Sequence, residues 1–231
     1  MTAVAVPALS RLQNDPDRYR RFYLKAIKNI AYVSMPLIAV MGVLSDEIVN
    51  IVLGEGWTDA AMVFSVLAVA AIWSPIASTV GWIYVSLDQT RRGFLWTCIM
   101  TPITLGAFMI GLNWGPVGVA ASYTVLVVLQ IVPQFWFALR YSPVSLADVA
   151  VATRNPVIAS LTLAMGLALV RHYLVSHGQS AVLLGCSAGA GAILLLQFAC
   201  SGGIRQDVRG FVDVAAIALR RSGRCAGGGT R

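Results

Sequence analysis

The sequence predicts an all-α integral membrane protein that crosses the bilayer six times, and three observations predict it. Hydrophobic residues make up 58% of the 231 and charged residues only 12%, where a soluble domain carries about 25% charged. Six stretches are each long and apolar enough to cross a hydrocarbon core that takes about 20 helical residues. Sixteen of the 17 Lys and Arg residues fall beside alternate ends of those stretches, all on one side of the implied membrane. A chain this apolar cannot cover a water-exposed surface, so its solvent is lipid.

The elements follow in chain order. Thr2–Leu9 is apolar but too short to span, and it lacks the basic start and small-residue cleavage site of a secretory signal. It reads as the last turns of a helix whose beginning lies upstream. Asp15-Pro16-Asp17 is a helix start, with an acid at the cap, proline in the first turn and a second acid behind it. From there Tyr19, Phe22, Tyr23, Ala26, Ile27 and Ile30 recur at helical spacing, with Arg18, Arg21, Lys25 and Lys28 on another face. This pattern predicts a basic amphipathic helix lying among the headgroups and running into the first span.

The first span covers Asn29–Leu53. Asp46 and Glu47 are too costly for mid-bilayer, so it breaks near Leu44 and continues as an interfacial piece ending at Gly54-Glu55-Gly56-Trp57. The second span is Ala60–Val85, and Trp82 and Tyr84 near its end read as interface anchors or as cavity wall. The third is Gly93–Leu112, followed by a tight Asn113–Pro116 turn, and the fourth is Val117–Leu139. Arg140–Asn155 is a longer loop in which Ser145 and Asp148 have the spacing of a capping box for a short surface helix. The fifth span is Pro156–Val170, and after the Arg171–Ser180 loop comes the sixth, Ala181–Cys200. Ile204, Val208, Phe211, Val212, Ala215 and Leu219 mark a second surface helix before a glycine-rich end.

The domain reading is therefore residues 1–28 as helix end plus amphipathic helix, 29–139 as a four-helix transport unit, 140–200 as a loop and two further spans, and 201–231 as a basic tail. Orientation follows from the cations, of which only Arg171 lies on the opposite side. By the positive-inside rule both termini are cytoplasmic. The net charge of +7 is thus a topology signal and not a nucleic-acid footprint.

Functional signals are few. Pro36, Pro75, Pro102 and Pro133 lie inside the four leading spans. There they suit either a bundle that bends or the ordinary tolerance of membrane helices for proline. Gly185-x-x-x-Gly189 and Ser187-x-x-x-Gly191 allow close helix packing. Gln130 and Gln134 share a face of the fourth span, with Tyr123 two turns earlier. Amide and aromatic groups there suit either a cavity for a sugar or phosphate headgroup or interhelical hydrogen bonds. Cys98, Cys186, Cys200 and Cys225 have no metal or redox spacing, and His172 and His177 lack further ligands. The sequence predicts no metal, no cofactor and no catalytic residue.

Certain runs, in this order, carry a resemblance. They are Pro7–Asp15, Arg18-Tyr19-Arg20-Arg21, the Met35-Pro36 span, Leu44–Val49, Leu53-Gly54-Glu55-Gly56-Trp57 and Trp114–Ala120. Over about Val4–Val144 the chain resembles the C-terminal part of bacterial polysaccharide and O-antigen flippases of the multidrug/oligosaccharidyl-lipid/polysaccharide exporter superfamily. The resemblance implies a transporter of undecaprenyl-diphosphate-linked oligosaccharide in the bacterial inner membrane, serving exopolysaccharide, capsule or lipopolysaccharide biosynthesis. It also implies two lobes around a cavity, with the first four spans in the second lobe and the last two as an added pair. The first lobe would then be missing here, either because the chain is a fragment or because a partner supplies it. Arg11 and Arg92, at the ends of spans, are the nearest cations for a diphosphate, though topology explains them equally. The expected partners are membrane lipid, the lipid-linked oligosaccharide and the missing N-terminal lobe, with no nucleic acid. A drug or cation antiporter of the same superfamily, a pathway enzyme and a truncated, non-transporting interaction protein are the alternatives. The antiporter lacks a buried carboxylate in the core spans, and the enzyme lacks a large outer loop.

Overall fold

The computed structural model describes residues 2–54 and 56–174. The predicted sixth span, residues 175–180 of the loop before it, the glycine spacing at 185–191, the tail helix, His177 and the last three cysteines lie outside them. The described residues are helical, with no strand. They form α1 (Thr2–Arg11), α2 (Pro16–Val43), α3 (Ser45–Leu53), α4 (Thr58–Ser78), α5 (Val80–Ser86), α6 (Thr90–Gly111), α7 (Gly115–Leu139) and α8 (Leu146–Leu174). Four helical stretches are long and apolar enough to cross a membrane: Pro16–Val43, Thr58–Ser86, Thr90–Leu139 and Leu146–Tyr173. The third has 50 residues, and a 3-10 turn at Leu112–Trp114 folds it back into α6 and α7. This all-α membrane fold is the predicted class.

α2 begins where the sequence places it. The Asp15 side chain accepts from the backbone N–H of Arg18 at 3.1 Å, and Pro16 sits in the first turn. It also ends as predicted, at Leu44, where α3 starts afresh with Asp46 and Glu47 in its first turn. Carboxylates are favoured there by the helix dipole. The amphipathic reading needs correction. Tyr19, Tyr23, Ile27, Ala31, Met35 and Ala39 form one ridge at spacing four, and every member is buried. The ridge packs into the protein core instead of lying among headgroups. Trp82 and Tyr84 are also corrected, because both are buried in that same core. Neither anchors an interface.

Hydroxyls join α2 to the broken second span. Tyr19 and Ser86 share a 2.7 Å hydrogen bond, and Tyr23 and Thr79 share one of 3.1 Å. Gln13 donates to the Ser86 carbonyl. Thr79 stands at the junction of α4 and α5 and also donates to the Ile76 carbonyl at 2.7 Å. In a lipid-surrounded core every such polar group must find a partner inside the protein.

α8 differs from the sequence reading. Ser145 and Asp148 do form the capping box, with the Ser145 N–H donating to Asp148 at 3.0 Å and the Asp148 N–H to Ser145 at 3.2 Å. The helix they start runs on through Pro156, so the surface helix and the fifth span are one element. Pro156 is buried and costs one backbone hydrogen bond. Ser160 donates to its carbonyl at 2.8 Å. α8 lies parallel to α2, with ion pairs at both ends of the contact. Arg20 pairs with Asp148 at the start of both helices, and Arg171 pairs with Asp46 and, at 3.0 Å, with Glu47 at the far end. From Asp148 to Arg171 the helix rises about 34 Å, enough to cross a bilayer core of about 30 Å.

Candidate functional site

α6 and α7 form an antiparallel hairpin whose approach depends on glycine. A Cβ at Gly118 would lie 2.5 Å from the Gly111 carbonyl oxygen and 2.5 Å from the Trp114 Cβ. Gly115, with φ of 72°, supplies the left-handed turn that starts α7. At the other end Arg92 donates to the Phe137 carbonyl and to Gln89, each at 2.9 Å. Its guanidinium lies 4.7 Å from the Phe137 ring centre and 4.3 Å from that of Tyr141. The hairpin is thus closed by backbone contact at one end and by a cation stacked on two rings at the other.

Between these ends lies an open groove of about 360 Å³. α7 contributes Tyr123, Gln130 and Gln134, which the sequence singled out for sharing a face. α6 contributes Thr97, Thr101 and Thr104, which the sequence reading missed. Their spacing of four and three was the available signal, since it sets three hydroxyls on one helix face. Each threonine donates to a carbonyl of its own helix at 2.8–3.1 Å, leaving the hydroxyl oxygen able to accept from a guest. Both glutamine side chains form no hydrogen bond among the described residues and are only part-buried. Tyr123 is held against Phe108, with ring centres 5.7 Å apart. At the other end Trp96 stacks on Phe137 at 5.4 Å.

The groove lining is therefore neutral, rich in amides and hydroxyls, with aromatic rings at both ends. Such a surface suits hydroxyl-bearing ligands, since the amides both donate and accept and the rings offer apolar faces to sugar C–H groups. It holds no cation. Arg92 lies beyond the Trp96 end and is committed to Phe137, Tyr141 and Gln89. Arg11 is exposed at the end of α1. The structure thus brings Tyr123, Gln130 and Gln134 together and leaves Arg11 and Arg92 elsewhere. Among the described residues no three His, Cys, Asp or Glu side chains gather as metal ligands.

Residues 1–62 match the sequence profile of a family described as "Polysaccharide biosynthesis protein". A membrane protein of the capsular polysaccharide (cps) region of Klebsiella pneumoniae is 22% identical over 141 residues, 61% of this chain and 29% of that protein. The lipopolysaccharide biosynthesis protein WzxC of Escherichia coli is 23% identical over the same shares of the two chains. The teichuronic acid biosynthesis protein TuaB of Bacillus subtilis is 22% identical over 85% of this chain and 41% of its own length. The chain therefore spans well under half the length of these relatives. No solved structure matches it. The comparisons agree with the resemblance carried by the sequence runs, and they associate the chain with surface polysaccharide biosynthesis in the membrane.

Proposed function

We propose that this relative of bacterial polysaccharide biosynthesis membrane proteins is the C-terminal part of a transporter that flips an undecaprenyl-diphosphate-linked oligosaccharide across the inner membrane. The α6–α7 groove carries the proposal. It sets Gln130, Gln134, Tyr123 and three threonines on one face of a hairpin whose helices are long and apolar enough to cross a membrane. Unused amides in the hydrocarbon region are costly, so this face belongs against a wet cavity or a polar partner. Oligosaccharide hydroxyls are such partners. The groove is open on one side, as expected of a half-site that a second lobe completes. By this reading the lobe is a transport element and not an enzyme. The lipid-borne diphosphate is held by residues outside the groove.

The orientation proposed for the chain puts the Arg20–Asp148 and Arg92 end in the cytoplasm and the Arg171 end in the periplasm. The ion pairs support it, since Arg20 of α2 meets Asp148 at the start of α8 at one end and Arg171 lies beside Asp46 and Glu47 at the other. Reconstitution in liposomes tests the function. The chain is co-reconstituted with a polypeptide supplying the rest of a relative's length, and translocation of a radiolabelled lipid-linked oligosaccharide is followed by its exposure to a glycosidase. Gln130→Leu with Gln134→Leu should abolish most translocation while leaving the helical content and lobe assembly unchanged. Full translocation by that double variant would overturn the assignment.

A further inference from the structure

α2 carries two ridges at spacing four on opposite sides of the helix, offset by two residues and so by about 200°. The first, from Tyr19 to Ala39, is buried. The second reads Arg21, Lys25, Asn29, Val33, Leu37 and Met41, and faces outward. Arg21 and Lys25 are exposed, and Val33, Leu37 and Met41 are 73%, 59% and 39% exposed. Asn29 is part-buried. The ridge changes character once along its length, from two cations through an amide to three apolar side chains.

We propose that this outward ridge seats one anionic phospholipid, with its phosphate on Arg21 and Lys25 and an acyl chain along Val33, Leu37 and Met41. The order of groups matches a phospholipid from headgroup to tail. Asn29 falls at the level of the ester carbonyls, to which its amide can donate. From Asn29 to Met41 the helix rises about 18 Å, close to one leaflet of a core of about 30 Å. Arg21 and Lys25 make no ion pair among the described residues, whereas Arg20, one residue away, is committed to Asp148. Arg18 and Lys28 flank the same end, Arg18 beside Asp15 at 3.2 Å and Lys28 over the Tyr32 ring at 5.8 Å. A packed protein helix in this place would have to bring acids opposite Arg21 and Lys25. An anionic lipid brings its charge with it, and each cation near a membrane surface favours anionic lipid by about fivefold. The inference stands on the membrane fold alone and does not depend on the transport reading.

Native mass spectrometry of the full chain tests it, in mild detergent with equal amounts of phosphatidylglycerol and phosphatidylcholine bearing the same acyl chains. The wild type should retain one phosphatidylglycerol in preference to phosphatidylcholine. Arg21→Gln with Lys25→Gln should lower that preference about thirtyfold, from two cations at about fivefold each. Arg91→Gln with Arg154→Gln removes the same charge from exposed sites off the ridge, and should leave the preference unchanged. Three results would overturn the proposal: no preference in the wild type, equal loss in both double variants, or a dimer whose dissociation follows from the Arg21/Lys25 change.

Discussion

Gly118→Ala should destabilise the fold, and Gly106→Ala, in the partner helix of the same hairpin, should not. The new methyl at residue 118 would lie 2.5 Å from the Gly111 carbonyl oxygen and 2.5 Å from the Trp114 Cβ. Ordinary contact distances are about 3.5 Å, so α6 and α7 must part by about 1 Å at this point. The obstacles are a backbone oxygen and the root of a side chain, neither of which can swing aside. Overpacking of this kind costs about 1–3 kcal/mol, and the rigid neighbours put the expected cost near the middle, about 2 kcal/mol, or about thirtyfold in the folded-to-unfolded ratio. At Gly106 a Cβ meets nothing within 4 Å. Replacing a mid-helix glycine there should stabilise by about 0.5–1 kcal/mol. Denaturant unfolding in mixed micelles, followed by circular dichroism, measures both. Unfolding of Gly118→Ala together with the wild type, or greater damage from Gly106→Ala, would refute the clash at residue 118.

Three further outcomes follow from polar contacts. Tyr19→Phe should cost about 1–3 kcal/mol because it leaves the buried Ser86 hydroxyl without its partner. Tyr23→Phe should cost less, near 1 kcal/mol, since Thr79 keeps its bond to the Ile76 carbonyl; the same unfolding assay would show any reversed order. Arg171→Ala leaves Glu47, whose side chain is 7% exposed, as a buried charge without a cation. Breaking a fully buried pair costs about 3–5 kcal/mol. The part-exposure of Arg171 places this loss at or below the lower bound, and Glu47→Gln in the same chain should recover part of it in a double-mutant cycle. Arg20 pairs with Asp148 at the start of both helices, and Arg20 is about half exposed. Asp148→Asn should therefore cost no more than about 1 kcal/mol in the same assay; a loss as large as that of Arg171→Ala would refute this ranking.

The parts of this fold that were legible in the sequence are those where a polar residue had to be accommodated. Asp15 and Pro16 mark the start of α2, Asp46 and Glu47 force the break at Leu44, and Ser145 and Asp148 cap α8. Each is a local effect that one turn of helix decides. Facing was not legible, because in lipid an outward Leu37 or Val33 is as apolar as an inward Ile27 or Met35. Only where the outward ridge of α2 turns basic, at Arg21 and Lys25, does the two-sidedness appear, and there the sequence suggested a surface helix because it could not show that the apolar side meets α5 and α8. The pairing of Tyr19 with Ser86 and of Tyr23 with Thr79 joins residues 67 and 56 positions apart. No short-range pattern contains such contacts.

The candidate groove shows the same division and extends it to function. Gln130 and Gln134 stood out as rare polar groups at spacing four, a signal that needs no partner to be read. Thr97, Thr101 and Thr104 did not, because a hydroxyl can return its proton to its own helix and so is ordinary in a membrane span. It is the folding back of the chain at Leu112–Trp114 that lays the threonine face of α6 beside the glutamine face of α7. An isolated threonine stripe is satisfied as it stands, and an isolated glutamine pair seeks any neighbour. Together they leave donors and acceptors directed at one open space, and that convergence is the physical basis for a polar ligand here. This convergence has a sharp consequence at the turn. If Gly118→Ala parts α6 from α7 as calculated, it should weaken any groove ligand without touching a groove residue. Gly106→Ala, which leaves the hairpin closed, should not.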